Sequence, residues 1–202
     1  MWENFGFCVS PNLLTSLNNL SNGTFIDCGA NIGELGIWAR EKKMQYFAFE
    51  PESLEAECCD RNNFNGKSMT HRYALWKANE TLSFYSRAFS ADSSLLASGD
   101  DDNVVHMEAK RLDSVLSSSD LRHPVILKVE AEGAEPEVLE GSVLLLPFCD
   151  YVTVDCGYER GHKNNPKHTF IETNKILSEY GFFILQANLR RGTFLFGKTQ
   201  EI

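Results

Sequence analysis

The chain has little that would direct it to a charged polymer, a membrane or an oxidising compartment. Basic residues are few, 19 Lys+Arg against 28 Asp+Glu for a formal net charge of -9. No stretch is more basic than Glu41-Lys42-Lys43 or Arg190-Arg191. Nucleic-acid binding relies on clustered Lys/Arg to neutralise phosphates, so nucleic acid is not an expected partner. Long apolar runs are missing too. None exceeds four residues, and Val143 to Leu146 stops at Pro147, well short of the roughly 20 residues that span a bilayer. Met1-Trp2-Glu3 sets an acid where a secretory signal carries basic charge, so a soluble, cytoplasmic protein with no membrane association is expected. The six cysteines are scattered, with Cys58 and Cys59 adjacent, which fits reduced, packed thiols better than a disulfide framework. A zinc site from Cys149, Cys156, His162 and His168 fails on spacing, and no metal is expected. With no repeat, Pro-rich linker or low-complexity tail, residues 1–202 read as one domain.

What is present alternates. Short β-rich runs occur at Thr24–Asp27, Tyr46–Phe49, Thr70–Ala74, Val125–Val129, Tyr151–Asp155, Phe182–Gln186 and Thr193–Phe196. Helical patterns lie between them at Gly33–Glu41, Ser53–Phe64, Pro136–Leu146 and Thr169–Tyr180. This is the signature of βαβ units, and it predicts an α/β fold with a mostly parallel sheet and helices on both faces. The rhythm breaks between residues 80 and 110, where Thr81–Ser86 and Val104–Glu108 flank a Ser/Asp-rich segment. A small β-hairpin insertion is expected there, with the run at 99–103 as its solvated turn.

Chemistry concentrates in Phe25-Ile26-Asp27-Cys28-Gly29-Ala30-Asn31-Ile32-Gly33, a strand that enters a glycine-bearing turn and then a helix. Such turns let backbone approach a ligand closely and expose helix-start N–H groups to it. Asn31 stands where a dinucleotide fingerprint has its middle glycine. Asp27 would set an uncompensated negative charge beside a pyrophosphate, whereas a ligand with an ammonium and a sulfonium would be attracted. Glu50 closes the second strand, where an acid accepts hydrogen bonds from a ribose diol. Together these features point to S-adenosylmethionine (SAM). Asp27 and Glu50 have a quieter alternative as helix caps, and Gly29 and Gly33 as close-packing positions. Glu132 and Glu135 can serve the dipole of the helix that Pro136 opens.

These residues resemble the FkbM-type SAM-dependent methyltransferases. The resemblance rests on IDCGANIG (Ile26–Gly33), FAFEP (Phe47–Pro51), YALW (Tyr73–Trp76), RLDSVL (Arg111–Leu116) and LKVEAEGAEPEVLEG (Leu127–Gly141). It implies a Rossmann-like, seven-stranded class I methyltransferase fold and methyl transfer to a hydroxyl oxygen of a small molecule, a sugar or a glycan-bearing metabolite. By the same resemblance Asp27, Gly29, Asn31 and Gly33 line the methionine end of SAM, Glu50 its ribose, and Tyr73, Ala74 and Leu75 its adenine. Ala30, Pro51 and Glu130 complete the expected cofactor contacts.

The chain departs from the family pattern at Glu130, where Asp is usual, and at Asp155-Cys156-Gly157, in place of a Glu-x-His pattern. Sites in open α/β sheets lie at the carboxyl ends of the strands, which makes Glu130, Glu132, Asp155, His162 and His168 candidates for a general base. Glu130 and Asp155 rank first. Two other functions remain open at this level: an NAD-type Rossmann oxidoreductase, and a non-catalytic SAM-binding module.

Overall fold

The computed structural model describes residues 17–86, 103–162 and 165–198. Cys8, the expected acidic turn and the chain's first residues lie outside the described residues. Six strands form the central sheet: β1 (Thr24–Cys28), β2 (Gln45–Phe49), β6 (Val125–Val129), β7 (Tyr151–Asp155), β10 (Phe182–Asn188) and β11 (Thr193–Lys198). Their order is β10-β11-β7-β6-β1-β2. The pairs β1–β2, β1–β6 and β6–β7 are parallel, while β11 runs antiparallel to both β7 and β10.

The seventh strand of the expectation is reduced to a single bridge. His71 pairs in parallel with Phe49 on the free edge of β2, and the rest of Thr70–Ala74 does not join the sheet. The Asp60 carboxylate anchors the start of this segment. One of its oxygens accepts the N–H groups of Met69 (3.0 Å) and Thr70 (2.8 Å), and Arg72 bonds the other at 2.8 Å. Burial alone would raise the Asp60 carboxyl, but the bonds from Thr70, Arg72 and Met69 hold it below its usual range. The chain then leaves the sheet, and β3 (Ala74–Leu75) joins β4 (Glu80–Ser86) and β5 (Asn103–Lys110) in a second sheet of order β3-β5-β4. There β4 and β5 pair antiparallel from Glu80↔Ala109 to Ser86↔Asn103, the expected hairpin.

Among the described residues four α-helices cover the sheet: α1 (Glu34–Glu41), α2 (Ser53–Phe64), α3 (Glu135–Glu140) and α4 (Phe170–Glu179). Period-two alternation divides the strands between two cores. Ile26, Leu127, Val129, Val152 and Val154 pack with Val138 of α3 and Leu177 of α4. Phe25, Ile126 and Leu195 pack on the other face with Leu35, Trp38 and Ala39 of α1. The helix expected to run to Leu146 ends at Glu140. A Cβ on the next residue, Gly141, would lie 2.1 Å from the Trp76 carbonyl oxygen, and the buried Ser142 hydroxyl donates back to the Val138 carbonyl at 2.7 Å. Beyond it Pro147 admits only a single 3-10 turn, Leu146–Phe148. Among the described residues no helix is long and apolar enough to cross a membrane.

Candidate active site at the carboxyl ends of the central strands

The turn after β1 is fixed from three sides. Gly29 and Ala30 both donate to the Phe49 carbonyl, at 3.0 and 2.9 Å, which ties the turn to the end of β2. Gly29 and Gly33 have left-handed backbones (φ 78° and 79°), and so does Asn31 (φ 49°), a conformation that asparagine tolerates better than most residues. The Asn31 side chain accepts from the Ile32 N–H at 2.7 Å. Both glycines also serve close packing. A Cβ on Gly29 would lie 1.9 Å from the Glu130 carbonyl oxygen, and one on Gly33 would lie 2.6 Å from Cys59 Sγ on α2. Asn62 and Asn63 of α2 clamp the turn by donating to the Ile32 and Gly33 carbonyls. Ala30 is buried against Ala48 and Cys59.

Glu50, immediately after β2, is buried at 7% exposure. One carboxylate oxygen accepts the Asn31 N–H at 2.8 Å and the other accepts the Glu52 N–H at 2.9 Å. Burial pushes the carboxyl up to about 7, against the pull of those two donors and of Lys128. Pro51 follows, half-buried. Tyr73 stands farther along the same edge, its hydroxyl 3.2 Å from Nδ1 of His71, whose ring stacks on Phe49. Ala74 and Leu75 are buried in β3.

Asp27 lies on the floor of the site, not at its surface. Its side chain is 1% exposed and ion-paired to Lys128 at 3.0 Å. The other carboxylate oxygen accepts from the Tyr46 hydroxyl at 2.8 Å. Asp27 and Lys128 are register partners on β1 and β6, so both point to one face of the sheet. The Lys128 ammonium also reaches the Gly29 carbonyl and, at 3.1 Å, Glu130 Oε2. Burial alone would lower its pKa, but the two carboxylates hold it charged and above the ordinary lysine range. The expected attraction of Asp27 for a ligand's ammonium is thus met inside the protein. Glu130, with its side chain 18% exposed, is the acid of this cluster that reaches the surface.

Glu130 and Asp155 come together at the ends of β6 and β7. Burial pushes the Asp155 carboxyl up to about 7, and the negative charges of Glu130, Glu159 and Glu135 add to the rise. Glu159 is a residue that sequence reasoning missed. Its carboxylate folds over Gly157, occupying the space that a side chain there would take, 2.1 Å from an ideal Cβ. Glu135, by contrast, is structural. It is 1% exposed, accepts the N–H groups of Ala131 and Gly133 at 3.0 Å each, and binds the Thr169 hydroxyl at 2.8 Å. These bonds hold the loop after β6 through a left-handed Glu132 (φ 49°). Arg160 closes the loop from outside, with a two-pronged pair to Glu137 at 2.6 and 2.9 Å and a bond to the Gly133 carbonyl at 3.1 Å. Arg160 opens β8 (Arg160–His162), which pairs with β9 (Asn165–Lys167). His168 meets Tyr158 edge-on at 5.5 Å, and the His162 side chain lies outside the described residues. Arg111 is not available as an anion clamp, because its fork is taken by Asp113 at 2.6 and 2.8 Å.

A mostly parallel sheet with acids and a glycine turn gathered at its carboxyl ends places the chain in the Rossmann-like α/β class. Within it, the chain belongs to a particular family: residues 27–184 match the methyltransferase FkbM domain. No curated protein matches the chain in sequence. Among solved structures it is similar to a protein of the NADB-Rossmann superfamily from Streptococcus agalactiae (11% identity, TM-score 0.51, 96% of this chain and 71% of that one). It also resembles a TehB-like SAM-dependent methyltransferase from Corynebacterium glutamicum ATCC 13032 Kitasato (8% identity, TM-score 0.48, 93% and 86%).

Proposed function

We propose that this protein transfers a methyl group from SAM to a hydroxyl of a small, sugar-like acceptor. The observation that carries the reading is the division of labour among its carboxylates. Glu50 is locked by two backbone donors at the end of β2, while Glu130 and Asp155 gather two and three strands away. The residues fit the cofactor: Glu50 offers free lone pairs to a ribose diol, and Glu130 with Asp155 offers negative charge to a cation. When bound, SAM supplies an electrophilic methyl on a sulfonium.

The chain's own residues supply the rest. A hydroxyl is a poor nucleophile while protonated, and Asp155, pushed up to about 7, has the proton affinity suited to a base at neutral pH. Bound SAM would supply the methyl group to the acceptor oxygen, and Asp155 would take the proton that the hydroxyl gives up. Glu130, held by Lys128, keeps negative charge beside the reacting end, and positioning contributes much of the remaining acceleration. A dinucleotide fits poorly, because its pyrophosphate would be repelled by the same acids.

A thermal-shift titration with SAM, S-adenosylhomocysteine (SAH) and NADH tests the cofactor. A ligand at about 100 times its dissociation constant adds about 2.7 kcal/mol, which raises the midpoint of a domain this size by roughly 5–10 °C. SAM and SAH are expected to do so in the wild type and to lose the effect in Glu50→Ala. A response to NADH alone would overturn the reading. Methyl incorporation into a panel of sugar hydroxyls then tests the acceptor class, and binding of SAM with no transfer to any acceptor would favour a non-catalytic module.

A further inference from the structure

Lys128 stands out as the one charge in the run Val-Ile-Leu-Lys-Val of β6, the central strand between β1 and β7. Its ammonium donates to the Gly29 carbonyl and is ion-paired with both Asp27 Oδ1 at 3.0 Å and Glu130 Oε2 at 3.1 Å. These partners differ in kind. Asp27 is wholly internal, and its second oxygen is held by Tyr46. Glu130 reaches the surface, and Gly29 is the hinge of the turn after β1.

The charges have a simple consequence. Asp27 offsets Lys128, so the trio as a whole keeps one negative charge, and that charge lies on the carboxylate that faces outward. A buried lysine with a single acid would leave Glu130 free to swing, and an acid without the lysine would leave Asp27 a buried charge with no counter-charge. The two acids and one base thus hold both the position of Glu130 and the sign of the surface it presents.

We propose that Lys128 is a positioning residue that fixes the Glu130 carboxylate where it favours the sulfonium form of the cofactor over the neutral thioether product. The inference rests on the SAM reading above. Glu130 acts on the cofactor through space, and Lys128 acts only through Glu130. Discrimination between SAM and SAH is therefore the property that reports on it, because the two ligands share the adenosine and amino-acid ends and differ at sulfur by one methyl and one charge.

The test is isothermal titration of SAM and SAH against the wild type, Glu130→Gln, Asp27→Asn/Lys128→Met and the triple combination, with circular dichroism to confirm folding. The paired substitution removes both buried charges together, so neither is left orphaned. Glu130→Gln is expected to reduce the SAM preference about tenfold or more, the scale of one charge-assisted contact, while SAH affinity changes little. Asp27→Asn/Lys128→Met is expected to reduce the preference in the same sense. The triple variant should be no worse than Glu130→Gln alone, since residues acting through one another are non-additive.

A folded Asp27→Asn/Lys128→Met protein with the wild-type preference, or effects that simply add, would overturn the proposal and leave Lys128 a structural residue. If that variant does not fold, an unchanged preference in Glu130→Gln overturns it equally, because Lys128 would then have nothing to act through. Failure of the wild type to bind either ligand would instead remove the SAM reading itself.

Discussion

Glu50 follows β2 and Asp155 closes β7, with β6 and β1 between them in one sheet, and both are pushed up to about 7, yet they arrive there differently. Burial leads in each case. At Glu50 it is opposed by two backbone N–H donors, from Glu52 and Asn31. At Asp155 it is reinforced by the like charges of Glu130, Glu159 and Glu135. A carboxylate gripped by backbone donors is a fixed acceptor, whatever enters the site. One raised by repulsion is a responsive group, since a cation nearby relieves the repulsion and lowers its pKa again. The first property suits recognition, the second suits proton transfer.

The sharpest way to break this comparison is to exchange the outcomes of removing each group. Asp155→Asn is expected to lower the methyl-transfer rate at saturating cofactor by about 10²–10⁴-fold, the scale of a positioned base, while SAH binding stays within a few-fold of wild type. Single-turnover kinetics beside calorimetry would check both halves. An Asp155→Asn enzyme with normal turnover would hand the base role to another group, Glu159 first. The next effect is smaller. Glu50→Gln sets an amide N–H₂ against one of the two backbone donors, so one bond becomes a donor–donor clash. Affinity for SAM and SAH should fall together, by about tenfold or more, with turnover at saturation retained. If Glu50→Gln weakened SAM alone, Glu50 would be sensing charge at sulfur and not a shared diol.

How much of this was legible follows from what kind of signal each feature leaves. The six central strands and the helices between them are read directly, because period-two and period-3.6 patterns record burial. The turn at Gly29–Gly33 and the acid at Glu50 are legible for a similar reason: spacing from a strand end places them. What stayed hidden depends on partners distant in sequence. Asp60 holds Met69 and Thr70 from the side, and the segment Thr70–Ala74 leaves β2 after one bridge because Ala74 and Leu75 pair with β5. Asp27 reads as a ligand's counter-charge until Lys128 is seen opposite it in the register. A signal did exist there, since a lysine inside a buried apolar strand must find an opposite charge. Glu159 left none, because its approach to Gly157 is set by a local fold-back that no periodicity encodes.

The smallest expected effect concerns pH, and it separates the two carboxylates without any ligand. Between the ordinary values of 3.8 for Asp and 4.5 for Glu and the raised value of about 7, the folded protein holds protons on Asp155 and Glu50 that the unfolded chain has released. Unfolding therefore liberates protons in this window, and stability must fall as pH rises through it. Asp60 has the opposite sign, but its lowered pKa acts below 3.8 and leaves this window alone. His71, which burial lowers from the ordinary 6.5, opposes the two carboxyls inside the window with a single group. The midpoint of thermal unfolding should drop between pH 5 and pH 7.5, because two raised carboxyls outweigh one lowered imidazole. Asp155→Asn and Glu50→Gln should each remove part of the slope. A wild-type slope that neither substitution changes would show that neither carboxyl is raised in the folded protein. With ligand present the comparison sharpens further: SAM should flatten the share belonging to Asp155 more than SAH does, because only the sulfonium answers the repulsion that raised it. Equal flattening by the two ligands would mean that Asp155 is raised by burial alone.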